Sequence, residues 1–387
     1  YLRVTKIVKG ESRGKRKYNF SFVSPFAFYY FCIIQKKLMI KPLTSLRFVF
    51  AFLVFMSHKN LFPHEAPGFL WHIFREGYAG VSFFFMLSGF ILAYTYQQRL
   101  ISGTVTVRSF YVARIARIYP LHLLALLVSL FLLRFFAHSS ASDFGELALN
   151  ILLLQSFIPG QEFLFNSVSW SLSDEAFFYA LFPVIIFSTF RNRRREAQAM
   201  WVGLGLAIVL SAYLLRNNLW EHWTLYINPL FRIFDFVLGI ALYNLCHRWE
   251  SYLPLQGRYT QLEWLALLLI IVAYCTAFFI PVSFRRSVWY WLPMGLLIAS
   301  FYFHRGALSR LLSHPVCVKL GEISFAFYLF HYLVIQCVKI GLRHLHLEVS
   351  LTIEFFIALA VSIATAYIAH QYIEQPLNRL IRKRFSS

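Results

Sequence analysis

The chain contains 387 residues, of which 59% are hydrophobic, 19% aromatic and only 14% charged, and its mean hydropathy is +0.59. This composition excludes an ordinary soluble globular protein and predicts a protein that crosses a membrane several times. The net charge of +20 does not indicate nucleic-acid binding. The cations lie in short connections between apolar segments, where lipid headgroups and membrane topology account for them.

Residues 1–38 form a basic segment ahead of the first clear apolar helix. They carry nine Lys or Arg against one acid, around a broken apolar run, FSFVSPFAFYYFCII. If that run crossed the membrane, the basic residues before it would lie outside, against the positive-inside tendency. We therefore expect residues 1–38 to be an upstream extension that the native product lacks, with Met39 as its start. A basic cytoplasmic tail is the alternative.

From Met39 onward the hydrophobic pattern predicts one integral-membrane domain, residues 39–387, with no appended soluble domain. Apolar runs of the length needed to cross a hydrocarbon core of about 30 Å recur along the chain. The predicted fold class is therefore an all-α transmembrane helical bundle. Ten spans are predicted, at residues 43–61, 78–97, 118–137, 170–190, 198–216, 229–247, 261–280, 288–304, 320–340 and 351–371.

The arginines and lysines of the connections predict the orientation of the bundle. Clusters of cations stand between the second and third spans, in RNRRRE at residues 191–196, and in the C-terminal tail. Placing these clusters in the cytoplasm leaves both termini cytoplasmic. Residues 146–158 are apolar but short, and counting them as a span would move RNRRRE outside. An interfacial or re-entrant helix on the outer face is predicted there instead.

The first span, KPLTSLRFVFAFLVFMSH, contains Arg47 near its start and His58 at its end. On a helix these residues lie on nearly the same face, roughly 16 Å apart along the axis. Because ionisable groups within a bilayer span are costly, both are candidates for function. A buried neutral imidazole is suited to general base catalysis. The alternative for His58 is a structural histidine with a hydrogen-bond partner.

Arg114 and Arg117 are three residues apart in FYVARIARIYP and share one helical face where the third span leaves the cytoplasm. Two guanidinium groups on one face at a water boundary are suited to binding phosphate groups through paired hydrogen bonds. Taken alone, however, the pair is explained better by positive-inside anchoring of the span.

Ser171, Glu175 and Tyr179 recur every fourth residue in SWSLSDEAFFYALFP and form one polar stripe at the outer end of the fourth span. A carboxylate there is suited to orient an imidazole or to hold a sugar hydroxyl, whereas Asp174 points to another side of the helix. Capping of the helix at the outer interface explains the stripe equally well. Ser173 is a further candidate for a polar cavity.

Later spans contribute further polar groups. Arg232 and Asp235, three apart in NPLFRIFDFVLG, are expected to form a structural ion pair within their span, and a place in the polar cavity is the alternative. His331 shares a helical face with Tyr328 in LGEISFAFYLFHY, and it either lines the same cavity or packs against its neighbours. The five cysteines are scattered singly, so neither a disulfide framework nor a metal site is predicted.

Taken in order, these segments resemble the acyltransferase 3 family of bacterial integral-membrane acyltransferases, which includes O-antigen and exopolysaccharide O-acetylases. Arg47 and His58 match its pattern of Arg, ten residues and His in the first span. Arg114 and Arg117 match its Arg-x-x-Arg pattern. The other matching segments are GYAGVSFFFMLSGFILAY, SWSLSDEAFFYALFP, FRIFDFVLG, LGEISFAFYLFHY and YIEQPLNR.

The resemblance implies a multi-pass O-acyltransferase of the bacterial inner membrane. Its expected donor is cytoplasmic acyl-CoA, with acetyl-CoA first, and its expected acceptor is a hydroxyl of an envelope saccharide or lipid-linked sugar. Arg47, Arg114 and Arg117 are then expected to clamp the CoA phosphates. His58 would activate the acceptor hydroxyl or carry the acyl group, with Glu175 orienting it.

Two alternatives stay open at this point. A transporter or flippase of lipid-linked saccharides would line a conduction path with charged residues, but it would not depend on acyl-CoA. An acyltransferase that modifies a small molecule or a lipid would differ only in its acceptor. The sequence does not identify the acceptor, the acyl chain or the oligomeric state.

Overall fold

The computed structural model describes residues 39–59, 68–136, 144–189, 194–249 and 258–385. These residues form α-helices joined by turns and by short 3-10 and π segments, and no β-strand occurs among them. The predicted all-α class is therefore confirmed. The segment 1–38, predicted to be an extension, lies outside the described residues.

The α-helices of the described residues follow one another in chain order. They are α1 (Lys41–His58), α2 (Phe69–Arg75), α3 (Gly80–Leu92), α4 (Gln98–Ile101), α5 (Val107–Phe136), α6 (Phe144–Ile151), α7 (Trp170–Phe187), α8 (Arg194–Leu214), α9 (Pro229–Trp249), α10 (Tyr259–Thr276), α11 (Val282–Arg285), α12 (Trp291–Tyr302), α13 (Ala307–Leu312), α14 (Pro315–His344), α15 (Leu351–Ala369) and α16 (Gln375–Phe385).

Seven continuous helical stretches of the described chain are long and apolar enough to cross a membrane, so the protein is a multi-pass membrane protein. Helices α1, α8 and α12 cover the three remaining predicted spans, and α12 is only 12 residues long. The total of ten spans stays a prediction. The seven stretches are Trp71–Ile101, Val107–Phe136, Trp170–Phe187, Trp223–Trp249, Tyr259–Phe279, Pro315–His344 and Leu351–Phe385.

The segment predicted to lie at the interface, residues 146–158, is a short helix followed by a single 3-10 turn. Helix α6 has eight residues, too few to cross a membrane. Its end is held against α5, because the Tyr119 hydroxyl donates to the Ile151 carbonyl at 2.5 Å and the His122 ring bonds the Asn150 carbonyl at 2.8 Å. The chain then reverses at Leu153, whose φ is +57°.

Glycines allow the central helices to approach each other at backbone distance. Gly89 of α3 faces the Phe236 carbonyl of α9, and Gly239 of α9 faces the Met86 carbonyl of α3, so that a Cβ atom on either glycine would overlap the opposite backbone. Such close approach through small residues is a main source of association between helices in membranes. The α3–α9 contact is therefore a close constraint on the bundle core.

Helix α14 passes through the middle of the bundle, and most of its residues from Ile323 to Ile335 are buried. Gly321 brings its N-terminal half against the Thr44 carbonyl of α1. The two helices are also tied through α13, where the Ser45 hydroxyl donates to the Leu312 carbonyl at 2.5 Å. The arrangement places the polar face of α14, which carries Tyr328 and His331, at the centre of the molecule.

Gly89→Ala should destabilise the protein, because its methyl group would overlap the Phe236 carbonyl. Overpacking of this kind costs about 1–3 kcal/mol, so we expect the apparent melting temperature in detergent to fall by roughly 5 °C. Gly203→Ala is the matched control. A Cβ at Gly203 meets open space, so equal losses for the two variants would contradict backbone contact at Gly89.

Candidate active site

A partly open cavity lies between α1, α3, α5, α7 and α14. Five helices that are far apart in the sequence each contribute at least one polar side chain to its wall. The polar lining residues are Arg47, Ser88, Arg114, Arg117, Ser171, Glu175, Tyr179, Ser324 and Tyr328.

The cavity brings together seven of the residues that the sequence analysis proposed for a site. They come from the first, third, fourth and ninth predicted spans. Ser88 is an addition that the sequence did not indicate, since nothing distinguishes it from other small polar residues of α3. The seven residues are Arg47, Arg114, Arg117, Ser171, Glu175, Tyr179 and Tyr328.

Glu175 is the carboxylate of this wall, and it faces guanidinium groups. Its electrostatic neighbours are Arg47, Arg117 and Arg114, and it is hydrogen-bonded to the Tyr179 hydroxyl. That hydroxyl in turn accepts a hydrogen bond of 3.3 Å from Ser88. Three positive charges around one carboxylate leave the cavity wall with an excess of positive charge, which favours an anionic ligand.

The three arginines of the cavity differ in their partners. Arg117 forms an ion pair with Glu374, which follows α15, and the second oxygen of Glu374 lies 2.8 Å from His370 Nδ1. Arg114 donates to the Tyr96 hydroxyl at 3.0 Å. The side chain of Arg47 has no hydrogen bond or ion pair within the described ranges. Arg47 is therefore the cation most available to a ligand.

The sequence analysis did not identify Glu374 as a functional residue, although it quoted the segment YIEQPLNR that contains it. The available signal was an acid at the end of an apolar span, next to a basic tail. Its partner Arg117 lies 257 residues earlier. No local pattern joins the two, so only the packing of the last helices against α5 reveals the pair.

The serines of α7 have different surroundings. Ser171 shares a hydrogen bond of 2.8 Å with the Tyr328 hydroxyl and lies on the cavity wall. Ser173 instead donates to the Leu153 carbonyl at 2.6 Å and accepts from Ser156 at 2.7 Å. Ser173 therefore holds the turn after α6 against α7, whereas Ser171 belongs to the cavity.

His58 lies at the end of α1 and packs against a second histidine. The ring centroids of His58 and His331 are 5.2 Å apart, and Tyr332 approaches His58 edge-on at 5.4 Å. His58 is exposed whereas His331 is fully buried. The adjacent Lys59 forms an ion pair of 2.7 Å with Glu354 of α15, which holds this end of α1.

The hydrogen bond of His331 determines its tautomer. His331 Nδ1 lies 2.6 Å from the Tyr328 carbonyl oxygen, which can only accept, so Nδ1 carries the proton. His331 Nε2 is buried and has no hydrogen-bond partner. The neutral ring therefore presents an unpaired acceptor at Nε2. Its hydrogen-bond partner at Nδ1, Tyr328, is a residue of the cavity wall.

Arg232 and Asp235 form a buried ion pair of 2.8 Å outside the cavity lining. Arg232 also donates to the Ser82 hydroxyl at 2.9 Å and to the Arg286 carbonyl at 3.1 Å, while Asp235 accepts from the Trp291 indole at 2.5 Å. These bonds join α3, α9, α12 and the turn after α11. The pair therefore has the geometry of a structural junction.

Within the described ranges, no group of three or more His, Cys, Asp or Glu side chains is arranged to hold a metal ion. The cavity wall itself presents guanidinium, carboxylate and hydroxyl groups, whereas His58 and His331 lie outside its lining.

Comparisons with known proteins point to one enzyme family. A family model described as "Acyltransferase domain" matches residues 40–371. The chain is similar to acyltransferase MdmB of Streptomyces mycarofaciens, with 29% identity across 88% of this chain and 92% of the relative. It also resembles a Staphylococcus aureus (strain COL) protein provisionally named an O-acetyltransferase, with 23% identity across 78% of this chain and 53% of that relative. No solved structure matches the chain.

Asp235→Ala should strongly destabilise the protein, because it leaves Arg232 buried without its counter-charge. Breaking a buried ion pair in this way costs about 3–5 kcal/mol. The double variant Arg232→Met with Asp235→Leu should recover most of that loss, since neither charge then remains buried. Thermal unfolding in detergent measures both effects. A stable Asp235→Ala protein that has lost only its activity would contradict the structural role.

Proposed function

This chain belongs to the acyltransferase 3 family and is a membrane O-acyltransferase, and from that premise we propose that its donor is cytoplasmic acyl-CoA. The acyl group is acetyl, and the acceptor is a hydroxyl of a cell-envelope saccharide or lipid-linked sugar. We also propose that the protein lies in the bacterial inner membrane, with both termini in the cytoplasm. The observation that carries the proposed function is the cluster of three arginines in one cavity wall.

The charge of the cavity supports an anionic donor. Three arginines face one carboxylate within the cavity, and Arg47 has no ion pair among the residues described. Guanidinium groups bind phosphate oxygens through paired, charge-assisted hydrogen bonds. CoA combines several phosphate groups with a long neutral arm, so its phosphates suit the arginines and its arm suits the apolar part of the wall.

The length of α1 is compatible with this arrangement. Arg47 and His58 are separated by roughly 16 Å along the helix axis, which is of the same order as an extended pantetheine arm. Phosphates held near Arg47 would therefore place the thioester toward the imidazole pair. Holding the two reactants in this way contributes to catalysis by proximity.

The reaction requires one proton acceptor for the attacking hydroxyl. The hydroxyl oxygen forms a bond to the acyl carbon, the carbon–sulfur bond breaks, and the proton of the hydroxyl passes to the His58 imidazole. The thiolate of CoA leaves and takes this proton from the His58 imidazolium, which restores the neutral imidazole. The described contacts of His58 are with His331 and Tyr332. We therefore assign to His331 the role of orienting His58, and to Glu175 the role of ordering the arginines and an acceptor hydroxyl.

His58→Ala should lower the rate of acetyl transfer from radiolabelled acetyl-CoA to envelope glycans by about 100-fold or more, because general base catalysis contributes at least that much. Arg114→Ala with Arg117→Ala should mainly raise the KM for acetyl-CoA. His314→Ala, an exposed histidine at the start of α14, is the control and should behave as wild type. Membranes with equal amounts of protein provide the assay.

Two results would contradict this proposal. Normal transfer by His58→Ala would show that His58 is not the proton acceptor. If the wild-type protein transfers no label to its native glycan, acetyl-CoA is not the donor. Label in a lipid or a small molecule instead of the glycan would keep the chemistry and change the acceptor.

His331→Asn and His331→Gln separate the two nitrogens of this ring. An asparagine amide can replace Nδ1 in donating to the Tyr328 carbonyl, whereas a glutamine amide places an acceptor oxygen near the position of Nε2. If Nε2 orients His58, His331→Gln should retain at least tenfold more transfer activity than His331→Asn at equal thermal stability. Equal activities of two equally stable variants would contradict this role.

A further inference from the structure

A second group of cations lies beside the cavity, around the hydroxyl of Tyr96. Arg114 donates to this hydroxyl at 3.0 Å, and the Arg99 guanidinium lies 5.9 Å from the Tyr96 ring centroid. Arg382 is an electrostatic neighbour of both Tyr96 and Arg114. Arg114 also belongs to the cavity wall, so this group of cations is continuous with the cavity.

The chain's last helix brings Arg382 to this position. Glu374 pairs with Arg117, the Asn378 amide donates to the Ala116 carbonyl at 3.1 Å, and Arg382 then lies near Arg114. The order of these contacts shows that α16 and the segment before it run antiparallel to the beginning of α5. Helix α16 is therefore attached at its N-terminal side and carries Arg382 to the vicinity of Arg114, a residue of the cavity wall.

Arg114 and Arg382 lie close enough for their positive charges to interact. Across the described ranges, neither Arg114 nor Arg382 forms an ion pair with an acid. The Nε atoms of both are buried and without a hydrogen-bond partner. Like charges in proximity repel, and unpaired buried donors are costly, so an anion with several acceptor oxygens would satisfy both requirements.

We propose that Tyr96, Arg114 and Arg382 form a phosphate-binding site for the nucleotide end of the acyl donor, with α16 acting as the strap that completes it. The proposal rests on the proposed function and adds the C-terminal helix to the donor site. In this arrangement Arg114 contacts the phosphate with one side of its guanidinium and the cavity with the other. The neutral arm of the donor then extends into the cavity toward Tyr328.

Two of the residues involved occupy π segments. Tyr96 lies in the segment Ala93–Gln97 and Glu374 in the segment His370–Glu374. Such irregularities within helices occur frequently at functional sites. Tyr96 and Glu374 both contact α5, through Arg114 and Arg117 respectively.

Anionic lipid headgroups are the other source of phosphate at such a helix. The cations of α16 that face outward, Lys383 and Arg384, are exposed and suited to headgroups. Arg382 differs, because its Nε atom is buried beside Arg114. This contrast favours the donor's phosphate at Arg382, and it supplies Arg384→Gln as a matched control for Arg382→Gln.

The test uses the full chain in lipid nanodiscs, with wild type, Arg382→Gln and Arg384→Gln. Initial rates of transfer are measured with acetyl-CoA and with S-acetylpantetheine, which has the same thioester and no phosphate. Arg382→Gln should raise the KM for acetyl-CoA about tenfold, since charge-assisted hydrogen bonds are of that strength, with kcat within about twofold of wild type. Its KM for S-acetylpantetheine should not change, and Arg384→Gln should resemble wild type.

Lipid composition distinguishes the two sources of phosphate. The effect of Arg382→Gln should be the same in neutral nanodiscs and in nanodiscs with anionic lipid. An effect that disappears in neutral lipid would overturn the proposal in favour of a headgroup site. An equal rise in KM for both donors would also overturn it, because the loss would then not concern phosphate.

A binding measurement separates this proposal from the proposed function. Adenosine 3′,5′-bisphosphate should raise the melting temperature of wild type and Arg384→Gln but not of Arg382→Gln. If wild type transfers acetyl from neither donor yet shows this pattern, the proposed function fails and the phosphate site stands. If both donors are used and the bisphosphate stabilises all three proteins equally, the phosphate site fails and the proposed function stands.

Discussion

A charge buried in a membrane helix needs a partner, because hydrocarbon offers no water to solvate it. In this bundle the partners come from distant helices. Asp235 accepts from Trp291 as well as from Arg232, and Glu76 accepts from Arg285 and from the Tyr290 hydroxyl at 2.9 Å. Each such group joins helices whose apolar faces alone would not specify which neighbours they meet. The polar pairs therefore select one arrangement among many that hydrophobic packing would permit.

The same requirement separates structural groups from functional ones. The charges of Arg232 and Asp235 pair with each other, and both residues lie outside the cavity lining. Arg47, the Nε atoms of Arg114 and Arg382, and Nε2 of His331 have no partner within the described residues. An unsatisfied buried group in a native structure calls for an explanation, and a ligand is one such explanation. The proposed donor site lies where the unpaired cations converge.

The proposed reaction assigns different tasks to the two ends of α1. Its N-terminal part contributes Arg47 to the cavity, and its C-terminal end holds His58 against His331. Helix α14 supports both, since Gly321 approaches α1 at backbone distance and Tyr328 lies on the cavity wall. The site therefore depends on close contact between α1 and α14. This explains why a long central helix carries little exposed surface in its middle part.

The sequence by itself determined the elements that depend on local pattern. Hydropathy predicted a helix at each of the ten segments. The four-residue spacing of Ser171, Glu175 and Tyr179 predicted a polar stripe, and all three residues line the cavity. Only the tertiary structure decided which polar groups meet: Arg117 with Glu374 and His58 with His331, and Ser173 with the turn after α6. Periodicity reports which face of a helix is polar, but it carries no information about the helix packed against that face. Partners separated by hundreds of residues meet only when their helices pack together, and that packing depends on contacts along the whole chain.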